Sequence, residues 1–230
     1  MGIQVAELVK KLVINNEEEE EEMDEFETSK GKGQIWTLKR AGDTRWGSYL
    51  GSICSLMDLF STTCTVLKDI INGRDSTPNQ RNESDGAYDA ITSFEFVFIL
   101  HLMRDILEIT DDLCQALQRK SQDILNAMPL VSTLKNQIQK FRDDGWASLL
   151  ERVTLCCGKH NVSVPNMTSP YTAGRGRVRK ESITIEHHFR VEVFMYTIDS
   201  QLQELNNRFK EDTVELVILS TSLITSSRWL

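Results

Sequence analysis

Apolar side chains recur every three or four residues along most of this chain, and that rhythm predicts helices. Between Thr44 and Ile71, Leu50, Ile53, Met57, Phe60, Cys64, Leu67 and Ile71 form one stripe, which predicts a single helix about 40 Å long. Asn72-Gly73 ends it, and residues 72–86, polar and carrying Pro78, read as a loop. A second helix begins near Ala87, with Ile91, Phe94, Phe98, Leu102, Ile106 and Ile109 on one face. Phe96 and Val97 lie off that face, so this helix is apolar nearly all round and belongs at the centre of the fold. His101, set between Leu100 and Leu102, reads as a satisfied buried histidine.

The stripe continues through Leu113, Leu117, Ile124, Met128, Val131, Ile138 and Phe141. Pro129 is expected to kink or interrupt it, because it removes an amide donor. Asp143-Asp144 are expected to precede a new helix starting at Gly145-Trp146 and running to about residue 159, with Trp146, Leu149, Leu150, Val153 and Leu155 as its apolar content. Residues 161–180 break the rhythm with Pro165 and Pro170. A last long helix carries Val191, Phe194, Ile198, Leu202, Leu205, Phe209 and Leu216, with a break near 210–213. At the other end, residues 3–14 hold a short amphipathic helix candidate. The expected fold is all-α, an elongated bundle of long antiparallel helices. The domain division is 1–35 short helix and acidic disordered linker, 36–223 helical domain, 224–230 disordered tail.

Composition supports helices without adding to the pattern: 40% of residues are hydrophobic, 7% aromatic, and only 4 are proline. Charge changes the picture more. The formal net charge is −8, yet residues 1–27 hold ten acidic and two basic residues. The whole excess therefore sits in that tail, and the remaining chain is neutral. The glutamate run cannot bury anything and repels itself, which makes it a solvated linker, with an acidic DNA-mimicking arm as the alternative. A neutral body holds DNA only weakly and through local patches. Two such patches exist: Lys30, Lys32, Lys39 and Arg40 ahead of Arg45, and Arg175, Arg177, Arg179 and Lys180 in an exposed loop. The loop fits phosphate contact or nuclear import, and equally a plain soluble connector.

Five cysteines, Cys54, Cys64, Cys114, Cys156 and Cys157, show no framework spacing, which points to reduced thiols in a reducing compartment. No cleavable leader is recognisable, and no apolar run approaches the ~18 residues that span a bilayer. The sequons at Asn82, Asn161 and Asn166 are accordingly expected to stay unmodified. Cys157-Gly-Lys-His160 suggests zinc, with His187 and His188 as remote partners, but falls short of a tetrahedral set. The pairs Asp111-Asp112 and Asp143-Asp144 cannot clasp one ion from a helix, where neighbours point about 100° apart. No metal or other cofactor is expected, and no hydrolase elbow, metalloprotease helix or nucleotide-cradling turn is present.

Leu38-Lys-Arg-Ala-Gly-Asp-Thr-Arg-Trp-Gly-Ser-Tyr-Leu-Gly-Ser-Ile53 carries a more specific signal, as do Ser93–Met128, Asp143–Glu151 and Gln201–Leu216. In one unbroken order over roughly residues 36–223, these strings resemble plant proteins derived from hAT-superfamily transposases, in particular those called zinc finger MYM-type 1-like. The resemblance implies an RNase H-like catalytic core with three metal-binding carboxylates, interrupted by a large helical insertion. A threonine-arginine-tryptophan motif opens that insertion, and its tryptophan stacks on a base flipped out beside the cleaved strand. Trp46 matches that tryptophan and Arg45 its neighbour. By its own residues Gly42 breaks the preceding run, and Asp43 or Thr44 can cap a helix with Arg45 and Trp46 in its first turn, where an anion is favoured. The family's Cys-x-x-His element precedes the tryptophan motif, whereas Cys157 follows Trp46 by about 110 residues, so it is not carried over.

The chain thus resembles the insertion domain largely without its catalytic core, and no enzymatic activity is expected. The first functional reading is a non-catalytic nuclear or nucleocytoplasmic fragment with residual DNA-end contact. Its DNA-binding residues are Arg45, Trp46, Lys39, Arg40, Arg175, Arg177, Arg179 and Lys180. Related transposase-derived proteins are candidate partners, and neither a membrane nor a small-molecule substrate is expected. The second reading is a helical protein-protein interaction module, and the third a truncated transposon relic without selected function.

Overall fold

The protein is described from a computed structural model, which covers Leu38 and residues 46–118, 124–172 and 183–209. Within those residues the chain is all-α, as its periodicity predicts. Seven α-helical elements follow one another: α1 (Trp46–Asp58), α2 (Phe60–Asn72), α3 (Pro78–Ile91), α4 (Phe94–Gln118), α5 (Ile124–His160), the short turn α6 (Ile185–His187) and α7 (Tyr196–Arg208). A π-helical segment, His188–Met195, joins α6 to α7. The only pairing of extended backbone among the described residues is an isolated antiparallel bridge between Pro170 and Thr184.

The single helix expected from Thr44 to Ile71 is two helices. Leu59 interrupts it, and α1 and α2 diverge by 69°. Periodicity cannot reveal this break, because the buried positions Ile53, Leu56, Phe60, Thr63 and Leu67 keep the helical spacing straight through it. The end of α5 pins the start of α2: the Phe60 ring lies 4.6 Å from the His160 ring, and Ser61 Oγ lies 3.1 Å from its Nδ1. α2 does end at Asn72, with Gly73 next, but Gly73 sits at φ −65° rather than in the left-handed region. Glycine is needed there for close approach, since a Cβ would stand 2.9 Å from the Asp69 carbonyl.

Residues 78–91, expected mostly as loop, are helix α3. Its start is a full capping box: Thr77 Oγ1 accepts from the Gln80 amide, the Gln80 side chain accepts from the Thr77 amide, and Pro78 occupies the first turn. The apolar content of this stretch is low, so helical periodicity is faint while the cap is strong. Ser93 then starts α4 by accepting from the Phe96 amide. Phe96 to Leu100 are all buried, which makes α4 the apolar centre that the sequence predicts.

α5 is one helix of 37 residues with Pro129 inside it, so no helix starts at Gly145. Gly145 is a packing residue rather than a breaker: the Phe141 ring lies over it, and a Cβ would meet Phe141 Cδ2 at 2.4 Å. Asp143 is accordingly a mid-helix residue that accepts from Gln139. Leu149, Val153 and Cys157 are fully buried, whereas Leu155 is 67% exposed. Leu155 lies two residues from Val153, about 200° around the helix, and so leaves the stripe it was assigned to. α5 closes on Asn161 at φ 56°, with the Val162 amide donating to the Cys157 carbonyl at 2.9 Å, a Schellman stop with asparagine in the glycine position.

Val191, expected on the buried stripe, is 39% exposed, and Phe189 is buried in its place at 5%. The wider π turn explains the exchange. Phe189 and Phe194 are five residues apart, a spacing that an ordinary α-helix would splay to opposite sides and a π turn brings back to one face. Val191 then points outward.

Contacts group the chain into two compact units, one of residues up to Leu107 with Arg152–Val164, the other of Glu108–Glu151 with the residues from Pro165 on. In the first unit α2 packs along α3, and Lys68 Nζ sits 5.0 Å over the Tyr88 ring. Asp105 of α4 pairs with Arg152 of α5. In the second unit Phe194 is the hub: Phe141 and Trp146 meet it edge-on at 5.3 and 5.7 Å, and Arg142 grips both carboxylate oxygens of Asp199. Trp146, half-buried, is a packing partner of that hub. No single helix among the described residues is long and apolar enough to cross a membrane.

Candidate functional site

Trp46 of the Thr44-Arg45-Trp46 string lies on α1, in the first turn of that helix among the described residues. That described turn, Trp46 to Tyr49, contains no carboxylate. Arg45, Lys39 and Arg40 lie outside the described residues, as do Arg175, Arg177, Arg179 and Lys180.

The two flanks of the second basic stretch are described, and they are tied together. The Tyr171 amide donates to the Ile183 carbonyl at 2.8 Å, the Ile185 amide to the Ser169 carbonyl at 2.9 Å, and the Glu186 amide to the Met167 carbonyl at 2.9 Å. Thr184 caps α6 by accepting from the His187 amide. The Tyr171 ring stacks on His188, centroids 3.7 Å apart and planes within 11°, and His188 Nδ1 lies 2.7 Å from the Glu192 carboxylate. Residues 161–180 break the helical rhythm of the sequence, and their described part closes against the residues after Ser182. The His188–Glu192 pair shows in the sequence as a spacing of four, but the clasp itself is made by backbone amides and carbonyls and leaves no mark there. Tyr171 carries no comparable mark.

His187 and His188, considered as remote zinc partners, are not joined to such a site. His188 is engaged by Glu192 and Tyr171, and His160 by Ser61 and Phe60. Among the described residues no group of three or more His, Cys, Asp or Glu could hold a metal ion. The cysteines are free thiols. Burial pushes the Cys157 thiol up to about 11, helped by Cys156 beside it, and burial also raises Cys64, Cys114 and Cys156. A thiol held protonated is a poor nucleophile and a poor ligand.

His101 departs from its expectation in an informative way. It is buried, at 6% exposure, but neither ring nitrogen has a hydrogen-bond partner among the described residues. Burial, then the guanidinium groups of Arg152 and Arg104, lower its pKa to about 4. The ring is therefore a neutral, unsatisfied group in the apolar centre of the first unit. His160 is also lowered, by burial and then by Lys159.

No protein-family model, curated protein or solved structure matches this chain.

Proposed function

We propose that this chain is a non-catalytic helical module of the hAT transposase-derived type that contacts DNA ends, with Trp46 stacking on an unpaired base and Arg45 meeting the adjacent phosphate. The observation that supports this reading most is that Trp46 lies on α1 with no carboxylate in the first described turn. An anion is favoured toward the N-terminal end of a helix, and the basic residues Lys39 and Arg40 precede Trp46 in the chain. Arg175, Arg177, Arg179 and Lys180 form the second phosphate-contacting set. Stacking on one base contributes about 1 to 3 kcal/mol, enough to position a strand and too little for tight binding alone. Nuclear residence and association with related transposase-derived proteins belong to the same proposal, which assigns no strand-cleaving chemistry to the chain.

The test is binding to a DNA hairpin carrying one unpaired base. Wild type binds with an affinity that falls as salt rises, and Trp46→Ala weakens binding by roughly tenfold while the helical circular-dichroism signal stays unchanged. Equal binding by the variant removes the stacking role. A helical protein-interaction module is the second reading, favoured by the large exposed side chains Leu155 and Tyr196.

A further inference from the structure

One exposed leucine on a helix is ordinary; the residues around Leu155 set it apart. Glu151 lies four positions before it and Lys159 four positions after, all three exposed on one unbroken helix. Residues four apart on a helix make a continuous ridge. Beside that ridge lie Thr154 and Gly158, and at Gly158 nothing stands within 4 Å of where a Cβ would be. Positions 151, 154, 155 and 158 have the i, i+3, i+4, i+7 spacing that forms a hole for a side chain from a facing helix. Neither Glu151 nor Lys159 forms an ion pair with another described residue. At about 12 Å along the axis they are too far apart to pair with each other.

This arrangement is complementary to itself. A two-fold axis through Leu155, perpendicular to the helix, turns the ridge end for end. Glu151 of one copy then faces Lys159 of the other, twice over, while the two Leu155 side chains meet beside the open Gly158 positions. A parallel arrangement would set like charges opposite each other, so the charge order selects the antiparallel one. We propose that this face of α5 is a contact between two copies of the chain, packed antiparallel about Leu155. A foreign partner would have to supply the matching order of charges, whereas a second copy carries it already. One helix crossing buries well under the roughly 1,600 Å² of a standard interface. The dimer is accordingly weak and exchanges with monomer, dissociating with a constant on the order of 0.1 mM. The contact does not depend on the nucleic-acid reading.

Sedimentation of the full chain over a concentration range of about a hundredfold around that constant tests it. The weight-average mass of wild type rises toward that of a dimer. Glu151→Lys and Lys159→Glu each turn two attractive contacts into repulsive ones and weaken association about tenfold. Leu155→Glu abolishes it. The double variant Glu151→Lys with Lys159→Glu associates as wild type does, and an equimolar mixture of the two single variants forms a heterodimer. Each variant is first shown to melt as wild type does, at a concentration where all are monomeric. A mass that stays monomeric throughout, single reversals that leave association unchanged, or a double variant that fails to recover would each overturn the proposal. Rescue by exchange of the two charges is an outcome that another mode of self-association would not produce.

Discussion

A neutral imidazole buried without a hydrogen-bond partner, as His101 is, leaves a donor and an acceptor stripped of water, and each such group costs about 1 to 3 kcal/mol. His101→Leu fills nearly the same space without polar atoms, so we expect it to raise stability near neutral pH by about 1 kcal/mol. The pH dependence separates this from mere repacking. The folded pKa is about 4, below that of an exposed histidine, so between about pH 6.5 and pH 4 the unfolded chain binds a proton that the folded chain refuses. The stability tied to the neutral ring is complete above pH 6.5 and drains away as pH falls through that window. Denaturant unfolding at pH 7 and at pH 4.5 should show wild type losing on the order of 2 kcal/mol more than His101→Leu; equal losses would show that the ring is hydrated or paired. Gly145 makes a second case. Alanine is the better helix former by about 1 kcal/mol, but its Cβ would enter the Phe141 ring and push that ring against the fully buried Phe194. We expect Gly145→Ala to lower stability by roughly 1 to 2 kcal/mol, read from its melting temperature. The burial of His101 was legible from the leucines beside it. Its missing partners were not, because satisfaction depends on which atoms of other helices come within reach.

At the scale of elements, the helices were legible wherever apolar residues were dense, as in α4, and poorly legible elsewhere. α3 has little apolar content, and only the Thr77-Pro78-Asn79-Gln80 cap marks it. The bend at Leu59 leaves no trace in the stripe, because five buried positions hold helical spacing across it. The π segment misled the reading in a specific way: a spacing of three from Val191 to Phe194 looked like one α-helical face, while the spacing of five from Phe189 to Phe194 was the one used. Substitution distinguishes the two registers. Phe189→Ala empties a position only 5% exposed and should cost about 3 to 5 kcal/mol. Val191→Ala, at 39% exposed, should cost under about 1 kcal/mol. Reversed costs, measured by denaturant unfolding, would mean that the segment runs as ordinary α-helix with Val191 inward. The basic residues of the candidate site were legible as a composition only, since sequence spacing says nothing about how Arg45 and Arg175 stand to each other in space.

For the whole molecule, net charge misleads unless it is located. The −8 of the chain resides in residues 1–27, and the remaining residues carry equal numbers of acids and bases. A DNA strand approaching the neutral part is therefore repelled chiefly by the tail, and that repulsion acts over about 10 Å at 0.1 M salt and three times farther at 0.01 M. Removing residues 1–27 should then strengthen hairpin binding several-fold at low salt and hardly at all at high salt. The Trp46→Ala penalty should persist in both forms, because stacking on a base is short-ranged and insensitive to salt. Titrations of the full chain and the shortened one at two salt concentrations separate the contributions. An unchanged affinity at low salt would mean that the acidic run stays clear of the proposed DNA-contacting surface. A loss of affinity on removing it would mean that the tail contributes to binding, which electrostatic repulsion alone cannot produce.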